Sequence, residues 1–161
     1  RHSSSGCCPS PFDSYLMTLG LETLSLRVRH EVESARRLAE YCRNHPKVER
    51  VSFVGFESHP SYANAKKYFR FGSSAVFTIE LKGTLDSTVR FVESLNLAAH
   101  MVMIGDSVTV VTHPASTTHK QLSDADLAAA GVTPTMLRIS VGLENTDDLI
   151  DDFEQAFAHI G

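Results

Sequence analysis

The chain has 161 residues, of which 42% are hydrophobic and 21% charged, and its formal net charge is −4 at pH 7. These values are typical of one globular domain with its own core. Without a basic stripe the chain is a poor partner for nucleic acid, and no apolar run approaches the ~20 residues of a membrane span. We therefore expect a cytoplasmic protein with no nucleic-acid or membrane partner. A start at RHSSSG, without methionine, suggests a fragment, and residues 1–9 are predicted to be a tag remnant or a disordered lead-in.

Two helices are predicted to open the chain. Ser10, Pro11 and Asp13 provide an N-cap, a proline in the first turn and a carboxylate at the third position, so a helix should start there and end near Gly20. Residues 21–44 carry apolar side chains every three or four positions, which predicts a second, long amphipathic helix. Both helices are long for the sheet that follows, so we expect their N-terminal part to need a partner outside this chain.

The rest of the chain alternates strands with helices. Strands are predicted at residues 48–54, 75–81, 98–104, 109–112 and around Arg138. Helices are predicted at residues 59–69, 84–95, 123–131 and 145–158. The order α-α-β-α-β-α-β-β-α-β-α, without an internal repeat, predicts an α+β domain with a small, mostly antiparallel sheet and helices on one face.

The segment TMLRISVGLE places an arginine inside a strand. Apolar residues alternate there with Arg138, Ser140, Gly142 and Glu144, so Arg138 is predicted on the polar face. Ser140 and Gly142 are small, and we expect open space beside the guanidinium. The guanidinium is a planar fork of N–H donors, and this shape suits a bidentate carboxylate or phosphate. The alternative is an ordinary surface arginine whose stem covers the sheet.

Residues 105–119 are rich in hydroxyls and bounded by histidines. They suit hydrogen bonding to a polar small molecule and equally suit ordinary serine and threonine turns. The histidines that would hold a metal are His100, His113 and His119, but their spacing fits no ligand pattern, so no metal site is predicted. No nucleophile triad or glycine-rich phosphate loop is evident.

Five segments carry a family resemblance: SPFDSYLMTLGLETLSLRVRH, HPSYANAKKYF, IGDSVTVVTHPASTTH, LAAAGVTPTMLRISVGLEN and DDLIDDFEQA. In this order and spacing, over about residues 9–160, the chain resembles the C-terminal part of the Cys/Met-metabolism family of pyridoxal-phosphate enzymes, most of all the O-acetylhomoserine sulfhydrylases. The resemblance implies that residues 10–161 form the small C-terminal domain of a fold-type I transferase, including the long helix that leads into it. The larger N-terminal domain would lie upstream.

The resemblance also implies a reaction and a site. The reaction is a γ-replacement in homocysteine and methionine biosynthesis, in which sulfide or a thiol replaces the acetate of O-acetylhomoserine, with pyridoxal 5'-phosphate as electron sink. Arg138 would clamp the substrate α-carboxylate, and Met103, Ile104 and Thr118 would line the substrate side of the pocket. Met103 departs from the serine or asparagine common in the family, and methionine donates no hydrogen bond.

No catalytic residue is predicted within the chain, and its cofactor-binding residues stay unknown. None of its lysines lies in the family's serine- and threonine-rich context: Lys47, Lys66, Lys67, Lys82 and Lys120. The chain alone should therefore be inactive, and the complete enzyme should be a homo-oligomer acting on a small amino acid. Two alternatives stay open: a methionine γ-lyase or a cystathionine synthase or lyase of the same family, and a non-catalytic amino-acid-binding regulatory domain.

Overall fold

A computed structural model describes residues 6, 8–70, 72–117, 121 and 123–160, apart from the side chains at positions 124 and 128. The elements are α1 Pro11–Glu22, α2 Leu24–Asn44, β1 Val48–Ser52, α3 Tyr62–Tyr68, β2 Val76–Leu81, α4 Leu85–Glu93, β3 Ala99–His100, β4 Val110–Thr112, α5 Asp124–Ala129, β5 Met136–Ser140 and α6 Thr146–Ala158. The predicted order is confirmed, with an additional 3-10 turn at Pro114–Ser116. Within this described part, no helix has the length and apolarity needed to cross a membrane.

The five strands form one sheet in the order β1-β2-β5-β4-β3. All neighbours are antiparallel except β3 and β4, which run parallel, so the predicted mostly antiparallel sheet is confirmed. Strand β5 lies in the middle of the sheet although it is the last strand in the sequence. Arg138 of β5 is paired with Thr78 of β2 on one side and with Thr112 of β4 on the other.

The apolar face of the sheet carries the core. Leu137 and Ile139 of β5 are fully buried there and belong to one cluster with side chains of α2, α4 and α6. Phe153 of α6 lies among them and makes edge contacts with two other phenylalanine rings, Phe91 and Phe157. Burying one such side chain stabilises the fold by about 1.5–3 kcal/mol. The predicted placement of helices on one face of the sheet is confirmed for α2, α4 and α6.

The first helix and the start of the second lie outside this core. No residue of α1 is buried, and Phe12 and Met17 are 67% and 66% exposed. Burial along α2 starts only at Glu31, so the expectation of an uncovered N-terminal part is confirmed. The helix end predicted near Gly20 lies within two residues of the observed end at Glu22, and the guanidinium of Arg27 donates to the Gly20 carbonyl at 3.0 Å.

The largest difference from the sequence prediction concerns the third strand. Residues 98–104 were expected to be extended throughout, but only Ala99 and His100 pair with β4. The chain then leaves the sheet edge and forms a loop at residues 101–109, called here the crossing loop. Polar side chains of β4 and β5 bind the backbone of this loop, and these contacts replace the strand pairing.

Candidate functional site

Arg138 projects from the polar face of the sheet, as predicted, and is half-buried. Its Nη2 atom donates to the Thr112 hydroxyl at 3.2 Å and, more weakly, to the Met103 carbonyl at 3.4 Å. Its Nε atom is buried without a partner in the described part of the chain. No carboxylate in that part forms an ion pair with the guanidinium. A partly desolvated cation without a counter-charge is costly, which makes Arg138 a candidate anion site.

The start of the crossing loop lies against this arginine. The Thr112 hydroxyl donates to the Met101 carbonyl at 2.6 Å, and the Gly105 N–H donates to the Ser140 hydroxyl at 3.2 Å. Together with the Arg138–Met103 contact, these bonds hold the backbone of residues 101–105. Its side chains point away from the core, since all four from Met101 to Ile104 are about half exposed or more.

The end of the crossing loop is held by Glu144. Its carboxylate accepts the Thr109 N–H at 2.6 Å and the Thr109 hydroxyl at 2.7 Å. The Thr109 hydroxyl in turn accepts the Gly142 N–H at 2.9 Å. A Cβ atom on Gly142 would lie 2.5 Å from the Ser107 carbonyl oxygen, so only glycine allows the loop to come this close.

The expected open space beside Arg138 is therefore absent. Ser140 is 2% exposed and bonded to the loop, and Gly142 is buried beneath it. The small side chains predict room for a ligand, but backbone from residues 101–109 occupies this space.

The predicted pocket residues come together in part. Met103 contacts Arg138 through its carbonyl, and its side chain is 47% exposed; Ile104 follows it and is 60% exposed. Thr118 lies outside the described residues. The lining role of these three residues stays a prediction. Met103 contacts Arg138 through its backbone carbonyl, which every residue type has, so this contact does not need a side-chain donor.

The histidine-bounded segment closes on itself where the structure describes it. His113 is 1% exposed, and its two ring nitrogens lie 2.8 Å from the Ser116 hydroxyl and 2.9 Å from the Pro134 carbonyl. A carbonyl only accepts, so Nε2 carries a proton and donates it to Pro134. The Thr117 hydroxyl donates to the His113 carbonyl at 2.7 Å. These contacts favour the turn interpretation for Ser116 and Thr117.

Metal and cofactor ligands would have to come from histidine, cysteine, acidic and lysine side chains. Across the described ranges, no group of three histidine, cysteine, aspartate or glutamate side chains could hold a metal ion. Lys47 donates to the Phe157 carbonyl at 2.7 Å and Lys82 to the Pro46 carbonyl at 2.8 Å. The other two described lysines lie over tyrosine rings of α3. These contacts identify no cofactor lysine among the four described lysines, and Lys120 lies outside the described residues.

Four residues that shape the site were not singled out from the sequence: Thr109, Thr112, Ser140 as a loop ligand, and Glu144. Alternation places Ser140 and Glu144 on the polar side of the strand, and this pattern could have identified both as candidate site residues. Thr109 and Thr112 are the ends of a predicted strand and belong to the hydroxyl-rich residues 105–119, but nothing local shows which residues face them across the sheet.

Comparison with known proteins defines the class. The model of the family described as Cys/Met metabolism PLP-dependent enzyme matches residues 1–158. The chain belongs to this family, whose members depend on pyridoxal phosphate, and the predicted resemblance is confirmed.

Individual relatives are more specific. The chain is 46% identical over 147 residues to homocysteine synthase from Schizosaccharomyces pombe, covering 91% of this chain and 34% of that protein. It is 43% identical over 148 residues to O-acetyl-L-homoserine sulfhydrylase 1 from Thermus thermophilus, covering 92% and 35%. The chain thus spans about a third of the length of the curated relatives it matches.

A solved structure shares the fold. A candidate O-acetylhomoserine (thiol)-lyase from Campylobacter jejuni superposes with a TM-score of 0.86 at 35% identity, covering 95% of this chain and 36% of that one. That crystal structure contains a pyridoxyl-lysine phosphate group. The fold prediction is confirmed by this likeness.

Proposed function

We propose that residues 10–161 are the C-terminal, substrate-carboxylate-binding domain of a pyridoxal-phosphate-dependent O-acetylhomoserine sulfhydrylase. The names of the relatives support this reaction, and their greater length supports a second, larger domain in the complete protein. The observation that carries the proposal is Arg138: a half-buried guanidinium on the polar face, without an ion-pair partner in the described part of the chain. It needs an anion, and an α-carboxylate has the matching geometry.

Arg138 would act by orientation. The complete enzyme obtains from bound pyridoxal phosphate the electron sink that the chemistry requires. Arg138 would fix one end of the amino acid, so that the bond to be broken at Cα keeps a single orientation, an effect that contributes several kcal/mol in well-ordered sites. The exposed side chains of Met103 and Ile104 would cover the substrate from water on the side of the crossing loop.

The uncovered helices fit the same proposal. Helix α1 and the first turns of α2 expose a run of large apolar side chains, with Leu21 and Leu26 each 65% exposed. A surface of this kind is more typical of an interface than of free solvent. We assign it to contacts with the larger domain and with other subunits of a homo-oligomer in the complete enzyme.

The test is kinetic. In the complete enzyme, Arg138→Lys keeps the charge but loses the planar fork, and Arg138→Ala loses both. A charge-assisted hydrogen bond contributes about 1.5–3 kcal/mol, so Arg138→Lys should lower kcat/KM for O-acetylhomoserine by about tenfold to a hundredfold, and Arg138→Ala by more. Arg50, a 63% exposed arginine of β1 paired with Glu80, is the matched control, and Arg50→Ala should leave kcat/KM unchanged.

The outcome separates the alternatives. Wild-type kinetics in Arg138→Ala would reject the carboxylate role and return Arg138 to a surface arginine. Product analysis separates the reactions: homocysteine formed from O-acetylhomoserine and sulfide supports the sulfhydrylase. A 2-oxo acid, ammonia and methanethiol formed from methionine and water would instead indicate the γ-lyase. A complete protein that binds an amino acid without turnover would indicate the regulatory domain.

A further inference from the structure

The Thr112 side chain connects the arginine to the crossing loop, and its hydrogen bonds have only one possible direction. A hydroxyl has a single proton, and a carbonyl can only accept, so the 2.6 Å contact commits that proton to the Met101 carbonyl. A guanidinium can only donate, so the 3.2 Å contact places an Arg138 proton on the lone pairs of the same hydroxyl. The chain of donors runs from Arg138 through Thr112 to Met101.

Nothing else in the described residues holds the guanidinium as firmly. The Met103 carbonyl is at 3.4 Å, near the limit of a hydrogen bond, and shares the same Nη2 atom. Nε is buried without a partner. Thr112 is 1% exposed, so water does not compete for its hydroxyl. Among the described residues, Thr112 therefore provides the main contact that fixes the plane of the fork.

We propose that Thr112 is a positioning residue: it fixes the rotation of the Arg138 fork and couples it to the backbone of the crossing loop at Met101. This inference rests on the proposed carboxylate role of Arg138. Thr112 itself touches no substrate. The single proton of its hydroxyl is already donated to Met101. Removal of this hydroxyl would let the guanidinium rotate and would leave the Met101 carbonyl without its donor.

The experiment compares three variants of the complete holoenzyme. Thr112→Val keeps the shape and removes the hydroxyl, and Thr112→Ser keeps the hydroxyl. Thr78→Val is the matched control, because Thr78 is paired with Arg138 on its other side but makes no hydrogen bond to it in the described part of the chain. Steady-state kinetics with O-acetylhomoserine and with sulfide as the varied substrate, cofactor absorbance and Tm are measured for each.

We expect Thr112→Val to raise KM for O-acetylhomoserine by about tenfold, with KM for sulfide and cofactor absorbance unchanged, since one hydrogen bond to a charged group is lost. Thr112→Ser should restore KM to within about twofold, and Thr78→Val should match the wild type. In an Arg138→Ala background, Thr112→Val should add no further loss, because the two residues act as a unit.

Other outcomes overturn the inference. If Arg138→Ala is impaired while Thr112→Val has normal KM, the positioning role fails and the proposed function stands. If Arg138→Ala is itself normal, the proposed function fails first. A lower Tm with equal losses for both substrates, not rescued by serine, would mean that Thr112 has only a structural role. Should Thr112→Val fail to fold, Thr112→Ala carries the same expectation without the added methyl group.

Discussion

The two faces of the sheet are built on different principles. On the apolar face, Leu137, Ile139 and Phe153 are fully buried and have no polar groups to satisfy, so any close-packed arrangement of the right volume stabilises them. On the polar face, Thr112 and Ser140 are buried almost as completely, and each has a hydrogen-bond partner in the crossing loop.

The difference assigns separate tasks to the two faces. Apolar contacts are non-directional and supply stability in proportion to the area buried. Hydrogen bonds contribute less but fix directions, because an unpaired buried group is expensive. Mutations on the two faces should therefore have different effects. Changes on the apolar face should lower stability most, and changes on the polar face should alter the position of Arg138 and the loop.

The largest expected effect lies on the apolar face. Phe153→Ala removes a ring that is 0% exposed and should lower the free energy of unfolding of the chain by about 3–5 kcal/mol, through lost burial and the cavity left behind. Urea denaturation followed by circular dichroism measures it. The control is Phe12→Ala on α1, where the ring is 67% exposed and a change within about 0.5 kcal/mol is expected. Equal losses for both would contradict the division between core and uncovered helix.

An intermediate effect is expected where the crossing loop meets β5. Gly142→Ala would place a Cβ atom 2.5 Å from the Ser107 carbonyl oxygen, so loop and strand must separate, at a cost of about 1–3 kcal/mol. Amide hydrogen exchange of residues 105–109 should rise selectively. The control is Gly20→Ala in α1, where an added Cβ meets nothing within 4 Å and the helix should gain up to about 1 kcal/mol. A stabilised Gly142→Ala variant would mean that the close approach is not required.

The smallest effect concerns a buried carboxyl that, unlike the polar-face hydroxyls, accepts no hydrogen bond in the described part of the chain. Glu31 of α2 is 5% exposed, and burial raises its pKa above the ordinary value of 4.5. The folded chain thus binds this proton more tightly than the unfolded chain, and stability falls as pH rises from 4.5 through the raised pKa. Glu31→Gln should stabilise the chain at pH 7 by less than about 1 kcal/mol and have no effect below pH 4.5.

Glu33→Gln, two residues away, should change the stability at pH 7 in the opposite direction. The hydrogen bond from Arg36 lowers the pKa of this exposed carboxyl, so its stabilisation is present above the ordinary pKa and is lost as pH falls through the lowered value. Solvent screening limits the loss in Glu33→Gln at pH 7 to a few tenths of a kcal/mol. Thermal unfolding of both variants between pH 4 and pH 8 measures the pair. The same sign for both would reject the burial argument for Glu31.

Much of the fold was readable from local pattern. Alternation placed Arg138 on the polar face and its neighbours Leu137 and Ile139 in the core, since a strand with one buried face has a period of two. The caps at Ser10 and Ser123 form the predicted bonds, with N–H donors of Asp13 and Asp126 at 3.1 Å and 3.3 Å. These features depend on residues close in sequence.

The errors depend on residues far apart in sequence. The run from Ala98 to Ile104 has the composition of a strand, but after His100 its backbone is bound by Thr112, Arg138 and Ser140 of other strands. The pattern predicts free space at Gly142, because a local pattern does not show its neighbour across the gap, the backbone of residues 107–109. Both errors fall beside Arg138, where tertiary hydrogen bonds outweigh intrinsic preference.

The sheet order also governs when the chain can fold during synthesis. Strand β5 is inserted between β2 and β4, and its pairing with β2 joins Phe77 to Ile139, 62 positions further along the chain. Pairings of such long separation close slowly, because loop entropy is lost before contacts are gained. Until residue 140 has left the ribosome, β2 and β4 each present an unpaired edge, of the kind that invites pairing with other chains. Arg138 belongs to β5, the strand that covers these two edges. During synthesis the candidate site therefore forms at the same time as the aggregation-prone edges are covered.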